Sequence, residues 1–199
     1  MAAAVARPQS AHPGAIAVDF TTFISDPDVP AVAQWAEIIN SQAATAGDTA
    51  FPPCALGAVI SRESRGENVL QAGKKPGPGC GVGLTQITSG VDWSDLSDPK
   101  YRTYRLLDTT SNILVAVRFF LIPALNRCLD LRNEYKAVME TISPQILYFV
   151  FAAYNAGFGT VRRSVMASED PDRHTTHLYA ANTLKRYQRC LAYTKERNS

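Results

Sequence analysis

The sequence has no apolar run that approaches the roughly 18 residues needed to span a bilayer as a helix. Its longest apolar stretch, from Ile146 to Ala153, has only the length of a buried helix. Its net charge is +2 and the charges are scattered, so no basic face for nucleic acid is indicated, although approach to an anionic polymer is not hindered. We therefore expect neither a membrane-spanning protein nor a nucleic-acid-binding one.

Cysteine is scarce, and its spacing excludes the common zinc patterns. Cys54, Cys80, Cys128 and Cys190 are widely separated, without a CxxC pair. Two disulfides, with three connectivities open, and four buried free thiols are equal alternatives from the sequence. The first residues also lack an apolar segment of signal-peptide length, so the sequence does not indicate a route of export.

The chain length and the overall composition are typical of one globular domain. Of the 199 residues, 46% are hydrophobic and 19% are charged, which argues against a disordered chain. Residues 1–30 hold four prolines and little periodicity, so we predict an N-terminal tail or wrapping segment there. Residues 31–199 are predicted to form the main domain.

Hydrophobic periodicity predicts a mainly α protein, because the sequence shows neither a repeat nor an alternation of strands with helices. The predicted helices cover about residues 32–46, 53–65, 111–130 with a kink at Pro123, 144–156, 161–167 and 176–194. Residues 144–156 are apolar on nearly every side, which predicts a central buried helix, capped by Ser143, started by Pro144 and stopped by Gly157. Residues 66–90 are rich in glycine and predict a loop-rich segment or a small hairpin.

One residue does not fit the predicted core, because Glu63 ends an apolar helical face. Leu56, Val59 and Ile60 stand at the spacing that places them on the same face as this glutamate. A carboxyl group at the margin of an apolar face is desolvated, which raises its pKa and keeps a proton available near neutral pH. Such a group suits general acid catalysis. The alternative is a structural glutamate that pairs with an arginine at the helix end.

Four short blocks follow one another along the chain: ISRES at residues 60–64, GVGLTQI at residues 81–87, AAYNAG at residues 152–157 and TTHLYA at residues 175–180. Together they make the chain, from about Ala55 to Tyr193, resemble the goose-type lysozymes and the soluble lytic transglycosylases of the lysozyme-like superfamily. The fourth block, which is followed by Arg186 and Gln188, looks closer to the goose-type branch. The resemblance implies a lysozyme-like catalytic domain over residues 31–199.

The resemblance also implies an activity: a peptidoglycan-cleaving muramidase that acts on the β-1,4 bond between N-acetylmuramic acid and N-acetylglucosamine. Glu63 is then the catalytic acid that protonates the glycosidic oxygen, and Tyr154 supports it with a hydroxyl near the carboxylate. Substrate-binding roles are implied for Ser64, Gly83, Leu84, Gln86, Ile87, Tyr154, Asn155 and Tyr179. Structural alternatives stay open: a helix-end role for Ser64, a turn role for the glycines, and core packing for Tyr154.

The chain departs from the goose-type pattern at three positions. Goose-type lysozymes commonly carry an aspartate in the loop before the glycine block, but here that loop reads QAGKKPGPGC. They carry another aspartate directly after the Gln-hydrophobic pair, where this chain has Thr88. The family's usual Leu-Met-Gln is Leu84-Thr85-Gln86 here, which places a small polar residue at the centre of the block.

The missing aspartates leave the nucleophile open. Hydrolysis with inversion needs a second carboxylate roughly 6.5–9.5 Å from the acid to activate water. Asp92 or Asp95 could substitute if the following loop folds back, whereas Glu67 is expected to face solvent. In a lytic transglycosylase the 6-hydroxyl of the muramic acid attacks instead, and a 1,6-anhydro product forms. Hydrolysis and transglycosylation are both retained.

We predict no cofactor and no metal. The GCGVG run at residues 79–83 lacks the GxGxxG spacing of a dinucleotide site, and His174 and His177 are a weak pair that helix N-terminal polarity explains equally well. The implied partners are peptidoglycan glycan strands, with chitin oligosaccharides as a further class. A secreted, bacteriolytic, antimicrobial monomer is expected, and a non-catalytic glycan-binding module is the competing class.

Overall fold

The computed structural model describes residues 32–44, 51–71, 80–88 and 106–198. The predicted segment of residues 1–30 lies outside this part, as do Asp92 and Asp95. The described residues are mainly helical, which confirms the predicted fold class at that level. They form a 3-10 turn at Val32–Trp35 and the helices α1 Ala36–Ala44, α2 Pro53–Ser64, α3 Thr109–Val115, α4 Ile122–Ile142, α5 Ile146–Ala156, α6 Phe158–Met166 and α7 Tyr179–Asn198, with a π-helical segment Ala116–Leu121 before α4 and a 3-10 turn Pro171–His174 before α7.

Helix α2 has the boundaries that its sequence predicts. Pro53 occupies the first turn, where its missing N–H costs no helical hydrogen bond. The helix ends at Ser64. The next residue, Arg65, turns the chain with a left-handed φ of 56°, and its N–H donates to the carbonyl of Ser61 at 3.2 Å. Residues 54–61 are all buried, and α2 packs against α1 and α7. It is therefore a core helix whose C-terminal end reaches the surface.

The third predicted helix is longer than expected and accommodates its proline differently. Helical structure is continuous over residues 109–142, whereas the sequence predicted an end near residue 130. Just before Pro123, the N–H of Ile122 donates to the carbonyl of Val117, five residues back. This wider turn relieves the contact that a proline ring makes with the preceding helical turn. The non-helical backbone angles lie instead at Tyr135, where φ is −122° and ψ is 35°, so the kink was predicted at the wrong residue.

The helical stretch over residues 109–142 also meets the length and hydropathy criteria for a membrane-spanning helix. It contains an 18-residue window with a mean hydropathy of 1.5, which is long and apolar enough to cross a membrane. Polar and charged residues interrupt the apolar runs of this window, so no single run in the sequence reaches a membrane-spanning length. Half of the window is buried inside the protein, and core helices share this length and composition.

The predicted central helix is confirmed as α5. Residues 147–153 are all buried, and the helix packs against α4, α6 and α7. It begins two residues later than predicted, because Ser143 ends α4 and its hydroxyl accepts a hydrogen bond from the N–H of Gln145 at 3.2 Å. Gly157 ends the helix with a φ of 82°, as expected, and its N–H donates to the carbonyl of Ala153 at 2.9 Å.

The cysteines follow neither alternative drawn from the sequence. Cys54 and Cys190 form a disulfide between α2 and α7, whereas Cys80 and Cys128 are buried free thiols. Burial raises the pKa of the Cys128 thiol to about 12, which keeps it protonated. The single disulfide therefore joins two helices that pack directly against each other.

Candidate active site

An open cleft with a volume of about 860 Å³ is lined by the C-terminal ends of α2 and α5. Pockets of roughly 300–1,000 Å³ are typical of ligand sites. Glu63 lines this cleft together with six of the residues predicted for substrate binding: Ser64, Gln86, Ile87, Tyr154, Asn155 and Tyr179. The fold thus brings residues from all four sequence blocks to one surface.

The apolar stripe predicted beside Glu63 is confirmed, since Leu56, Val59 and Ile60 are fully buried. Glu63 lies one turn further on and is partly buried at the cleft. Desolvation raises the pKa of its carboxyl from 4.5 to about 7, even though a hydrogen bond and a nearby arginine lower it. The carboxyl therefore retains a proton in a substantial fraction of molecules near neutral pH, as the sequence predicted.

The hydrogen bond to the acid comes from Tyr179, whose hydroxyl donates to Oε1 of Glu63 at 2.6 Å. The tyrosine is 2% exposed, and the Arg62 guanidinium lies over its ring, 5.2 Å from the centroid. Arg62 also donates to the carbonyl of Thr176 at 3.3 Å. Within the described residues Glu63 makes no ion pair, so the alternative of a glutamate paired at the helix end is not supported.

Tyr154 lies in the same cleft but has a different partner. Its hydroxyl donates to the carbonyl of Thr85 at 2.8 Å. Burial and the negative charge of Glu63 raise the pKa of this hydroxyl, so the two groups are close enough to interact electrostatically. The Tyr154 ring meets Phe120, in the π-helical segment, edge to face with centroids 6.3 Å apart. Tyr154 therefore braces the turn at residues 82–87, whereas direct contact with the acid belongs to Tyr179.

The turn at residues 82–87 is held by a buried asparagine that sequence analysis missed. Asn112 in α3 is fully buried, and its Nδ2 donates to the carbonyls of Val82 at 2.9 Å and Leu106 at 3.0 Å. Its Oδ1 accepts from both the backbone and the side chain of Thr85. A pair of backbone hydrogen bonds, each 3.2 Å, closes the turn between its end residues. The sequence signal that could have predicted this role is the position of Asn112 next to the apolar stripe of its helix, where a polar side chain is buried and needs partners.

Two residues predicted to bind substrate, Gly83 and Leu84, do not line the cleft. Gly83 has a φ of 74°, and a Cβ there would lie 2.4 Å from Nδ2 of Asn112 and 2.6 Å from the carbonyl oxygen of Leu106. Leu84 is fully buried in the main core. Gly83 therefore has a turn position and Leu84 a packing position, and the binding roles predicted for them stay predictions.

The other predicted residues of α2 and the turn line the cleft and are also tied to nearby backbone. Gln86 donates from Nε2 to two carbonyls, at 2.8 Å and 3.0 Å, and no described contact joins it to Glu63. The Ser64 hydroxyl donates to a carbonyl of α2 and accepts from an N–H just beyond the helix, both at 3.2 Å. Ile87 is 4% exposed. Ser64 thus has the helix-end role that was left open, at a position that also faces the cleft.

Asn155 ties α5 to the loop before α7. Its Oδ1 accepts a hydrogen bond from the N–H of Thr176 at 2.9 Å, and both residues line the cleft. The side chain therefore fixes the spacing between the last turn of α5 and the segment that leads to Tyr179.

The histidine pair noted in the sequence, His174 and His177, does not line the cleft. Glu67 is exposed, as predicted, and lines the cleft, as does Thr88. His174 lies 3.9 Å from the carboxylate of Glu169, and both are about half exposed, whereas His177 has a left-handed φ of 54°. In the part of the chain that the structure describes, no group of three or more histidines, cysteines, aspartates or glutamates is arranged to hold a metal ion.

No protein-family model matches the chain, and no curated protein is significantly similar to it. The function therefore rests on the chemistry of the cleft and on the four sequence blocks that meet there.

Proposed function

We propose that the chain is a lysozyme-like muramidase, which cleaves the β-1,4 bond after N-acetylmuramic acid in peptidoglycan with Glu63 as the general acid. The observation that carries this proposal is a cleft-facing carboxyl group whose pKa is raised to about 7 and which is held by the Tyr179 hydroxyl. A glycosidase acid needs its proton at the working pH, and a carboxyl with the ordinary pKa of 4.5 would have lost it.

The groups around Glu63 also suit the carboxylate that remains after it has given up its proton. As the glycosidic oxygen takes the proton, Glu63 becomes a carboxylate. The Tyr179 hydroxyl, 2.6 Å from Oε1, then donates to a charged acceptor, and such a bond is stronger than one to a neutral group. The positive charge of Arg62 favours the same ionised form. Both groups therefore stabilise the charge that develops on the acid during bond cleavage.

A lytic transglycosylase is the second candidate, and Thr88 favours it. This residue lines the cleft at the position where goose-type enzymes commonly carry an aspartate, and it cannot activate water as a base. Attack by the 6-hydroxyl of the muramic acid needs only one carboxyl group, which acts first as acid and then as base. Asp92 and Asp95 lie outside the described residues, so hydrolysis with one of them as base is retained as the alternative.

A non-catalytic glycan-binding module is the competing class, and the acid argues against it. Binding sugar hydroxyls requires donors and acceptors, but it does not require a desolvated carboxyl that is costly to ionise. Because peptidoglycan lies outside the cell membrane, the proposal also places the chain outside the cytoplasm at its substrate. Chitin oligosaccharides share the β-1,4 linkage and N-acetyl groups and are an additional substrate class to assay.

The decisive experiment compares Glu63→Gln with Glu67→Gln on purified peptidoglycan. Both substitutions remove one cleft carboxyl group, but only the first removes the proposed proton donor. We expect Glu63→Gln to lose at least about a hundredfold in rate, whereas Glu67→Gln retains most activity. Mass spectrometry of the released fragments identifies the nucleophile, because anhydro ends indicate transglycosylation and reducing ends indicate water. Equal activity of Glu63→Gln and the wild type would refute the proposal.

A further inference from the structure

A buried carboxylate stands outside the cleft, just before α7. Asp172 is 1% exposed, and its oxygens accept from the N–H of Ala180 at 2.7 Å, the N–H of Ala181 at 3.0 Å and the hydroxyl of Thr175. These N–H groups belong to the first turn of α7 and have no partner within the helix. A negative charge at a helix N-terminus is stabilising, so Asp172 fixes where α7 begins.

The same group controls the first residue of α7 through Thr175. The Thr175 hydroxyl, which donates to Asp172, accepts the N–H of Tyr179 at 2.9 Å. Tyr179 therefore has its backbone bound through Thr175 to Asp172 and its hydroxyl bound to Glu63. A short chain of direct hydrogen bonds leads from the buried aspartate to the proposed acid.

The backbone between these residues makes such an anchor necessary. His177 and Leu178 have φ values of 54° and 51°, so two adjacent non-glycine residues adopt the left-handed conformation directly before Tyr179. This conformation is costly and persists only where surrounding contacts determine it. Besides Asp172 and Thr175, the amide of Asn182 contributes by donating to the carbonyl of His177 at 2.8 Å.

We propose that Asp172 is a positioning residue for the acid: through Thr175 and the first turn of α7, it holds the Tyr179 hydroxyl against Oε1 of Glu63. The inference rests on the proposed function only in calling Glu63 the acid. If the hydrogen bond from Tyr179 is loosened, the ionised form of Glu63 loses a donor, and its pKa rises further. An enzyme with a mispositioned Tyr179 would therefore keep its proton to higher pH but release it to the substrate less readily.

Three other groups face Glu63. Tyr154 of α5 is coupled to the charge of Glu63 and Glu67 lines the same cleft, and neither has a described hydrogen bond to the Asp172 route. Arg62, which lowers the Glu63 pKa, does contact that route, because it donates to the carbonyl of Thr176 and lies over the Tyr179 ring. A change in Glu63 titration caused by substituting Asp172 is therefore transmitted through Tyr179 or Arg62, and the Tyr179→Phe background separates the two.

The test is a direct titration of the Glu63 carboxyl by carbon-13 NMR in the full chain, with rates on peptidoglycan measured in parallel. We expect Tyr179→Phe to raise the Glu63 pKa by about 1 unit and Asp172→Asn by roughly half as much. Thr175→Val, which keeps the shape and the aspartate, should shift it in the same direction. Thr141→Val is the matched control for Thr175→Val, because it removes a threonine hydroxyl bond, to the carbonyl of Ala137 in α4, that involves neither Asp172 nor Tyr179.

The outcomes separate the two proposals. Adding Asp172→Asn to Tyr179→Phe should produce no further shift in the Glu63 pKa, because the route is already broken. An unchanged Glu63 titration in both Asp172→Asn and Thr175→Val, with folded protein, would overturn the positioning role. If the wild type cleaves no peptidoglycan while these pKa shifts are observed, the positioning role stands and the proposed function fails.

Discussion

The amide oxygen of Asn112 accepts two hydrogen bonds from one residue: the N–H of Thr85 at 2.9 Å and the Thr85 hydroxyl at 2.7 Å. The carbonyl of Thr85 in turn accepts from the Tyr154 hydroxyl at 2.8 Å. Thr85 is fully buried, so a polar side chain at this position is compatible with burial only because Asn112 satisfies it. The pair explains how threonine occupies the centre of a block where the resembling families usually carry methionine.

Replacing Asn112 should therefore destabilise the fold strongly. Asn112→Leu removes four buried hydrogen bonds, and of the groups left behind only the Val82 carbonyl keeps another described donor, the N–H of Ile87. We expect it to lower the free energy of unfolding by about 3 kcal/mol or more. Thr85→Val removes only the hydroxyl bond and should cost about 1 kcal/mol. Urea denaturation of the two variants measures the difference. If Asn112→Leu were no less stable than Thr85→Val, the amide would not be what holds the turn.

Gly83 and Gly157 provide a matched pair for separating steric conflict from backbone strain. Both have positive φ, 74° and 82°, but a Cβ at Gly83 would meet Asn112 and Leu106, whereas a Cβ at Gly157 meets nothing within 4 Å. We expect Gly157→Ala to cost about 1–2 kcal/mol from strain alone and Gly83→Ala at least 1 kcal/mol more. Thermal unfolding of both variants tests this order, and the reverse order would contradict the packing described for the turn.

The raised pKa of Glu63 links folding to pH with a definite sign. Because the pKa is 4.5 ordinarily and about 7 in the folded chain, folding favours the protonated form. The stability that this provides is fully present below pH 4.5 and is lost as the pH rises through 7. Glu63→Gln cannot ionise, so its free energy of unfolding relative to the wild type should rise by up to about 3 kcal/mol between pH 4 and pH 8. A constant difference across that range would mean that the carboxyl is not desolvated.

The same titration should limit catalysis on the alkaline side. If Glu63 must donate a proton, kcat/KM on peptidoglycan falls as the pH rises through about 7. Arg62→Gln removes a positive charge near Glu63, so it should raise the Glu63 pKa and move this fall in kcat/KM, the alkaline limb of the pH profile, to higher pH. The variant also loses the contact with the Tyr179 ring, which should lower the rate at every pH. A limb that stays in place in this variant would show that Arg62 does not act on the acid.

The disulfide between α2 and α7 joins the helix that carries Glu63 to the helix that carries Tyr179. Its cysteines are 136 residues apart, and we expect its reduction to lower the free energy of unfolding by about 2–5 kcal/mol. The melting temperature should therefore fall when reductant is added. Cys128→Ala should keep this response and Cys54→Ser should lose it. An identical response in both variants would exclude the bridge as its origin.

Much of the fold was predictable because it depends on short-range patterns. The Leu56, Val59 and Ile60 stripe that ends in Glu63, and the apolar run of α5, are periodicities within a single helix, and both are confirmed. The errors lie where local signals compete. The sequence predicted that the third helix ends near residue 130 and kinks at Pro123. A π-helical segment precedes the proline instead, and the helix continues to residue 142 with its kink at Tyr135.

By itself, then, the sequence determined a mainly helical chain and a desolvated glutamate at the end of a core helix, because burial along one helix face follows from residue spacing. Only the tertiary structure decided which tyrosine contacts that glutamate. The resemblance implied that the Tyr154 hydroxyl lies near the carboxylate, but the hydroxyl that donates to it belongs to Tyr179, 116 residues from Glu63 along the chain. The choice depends on where α7 begins, which in turn depends on Asp172 and on the packing of α7 against α2. Hydrogen bonds between residues so far apart in the sequence form only once the helices are assembled, and no periodicity predicts them.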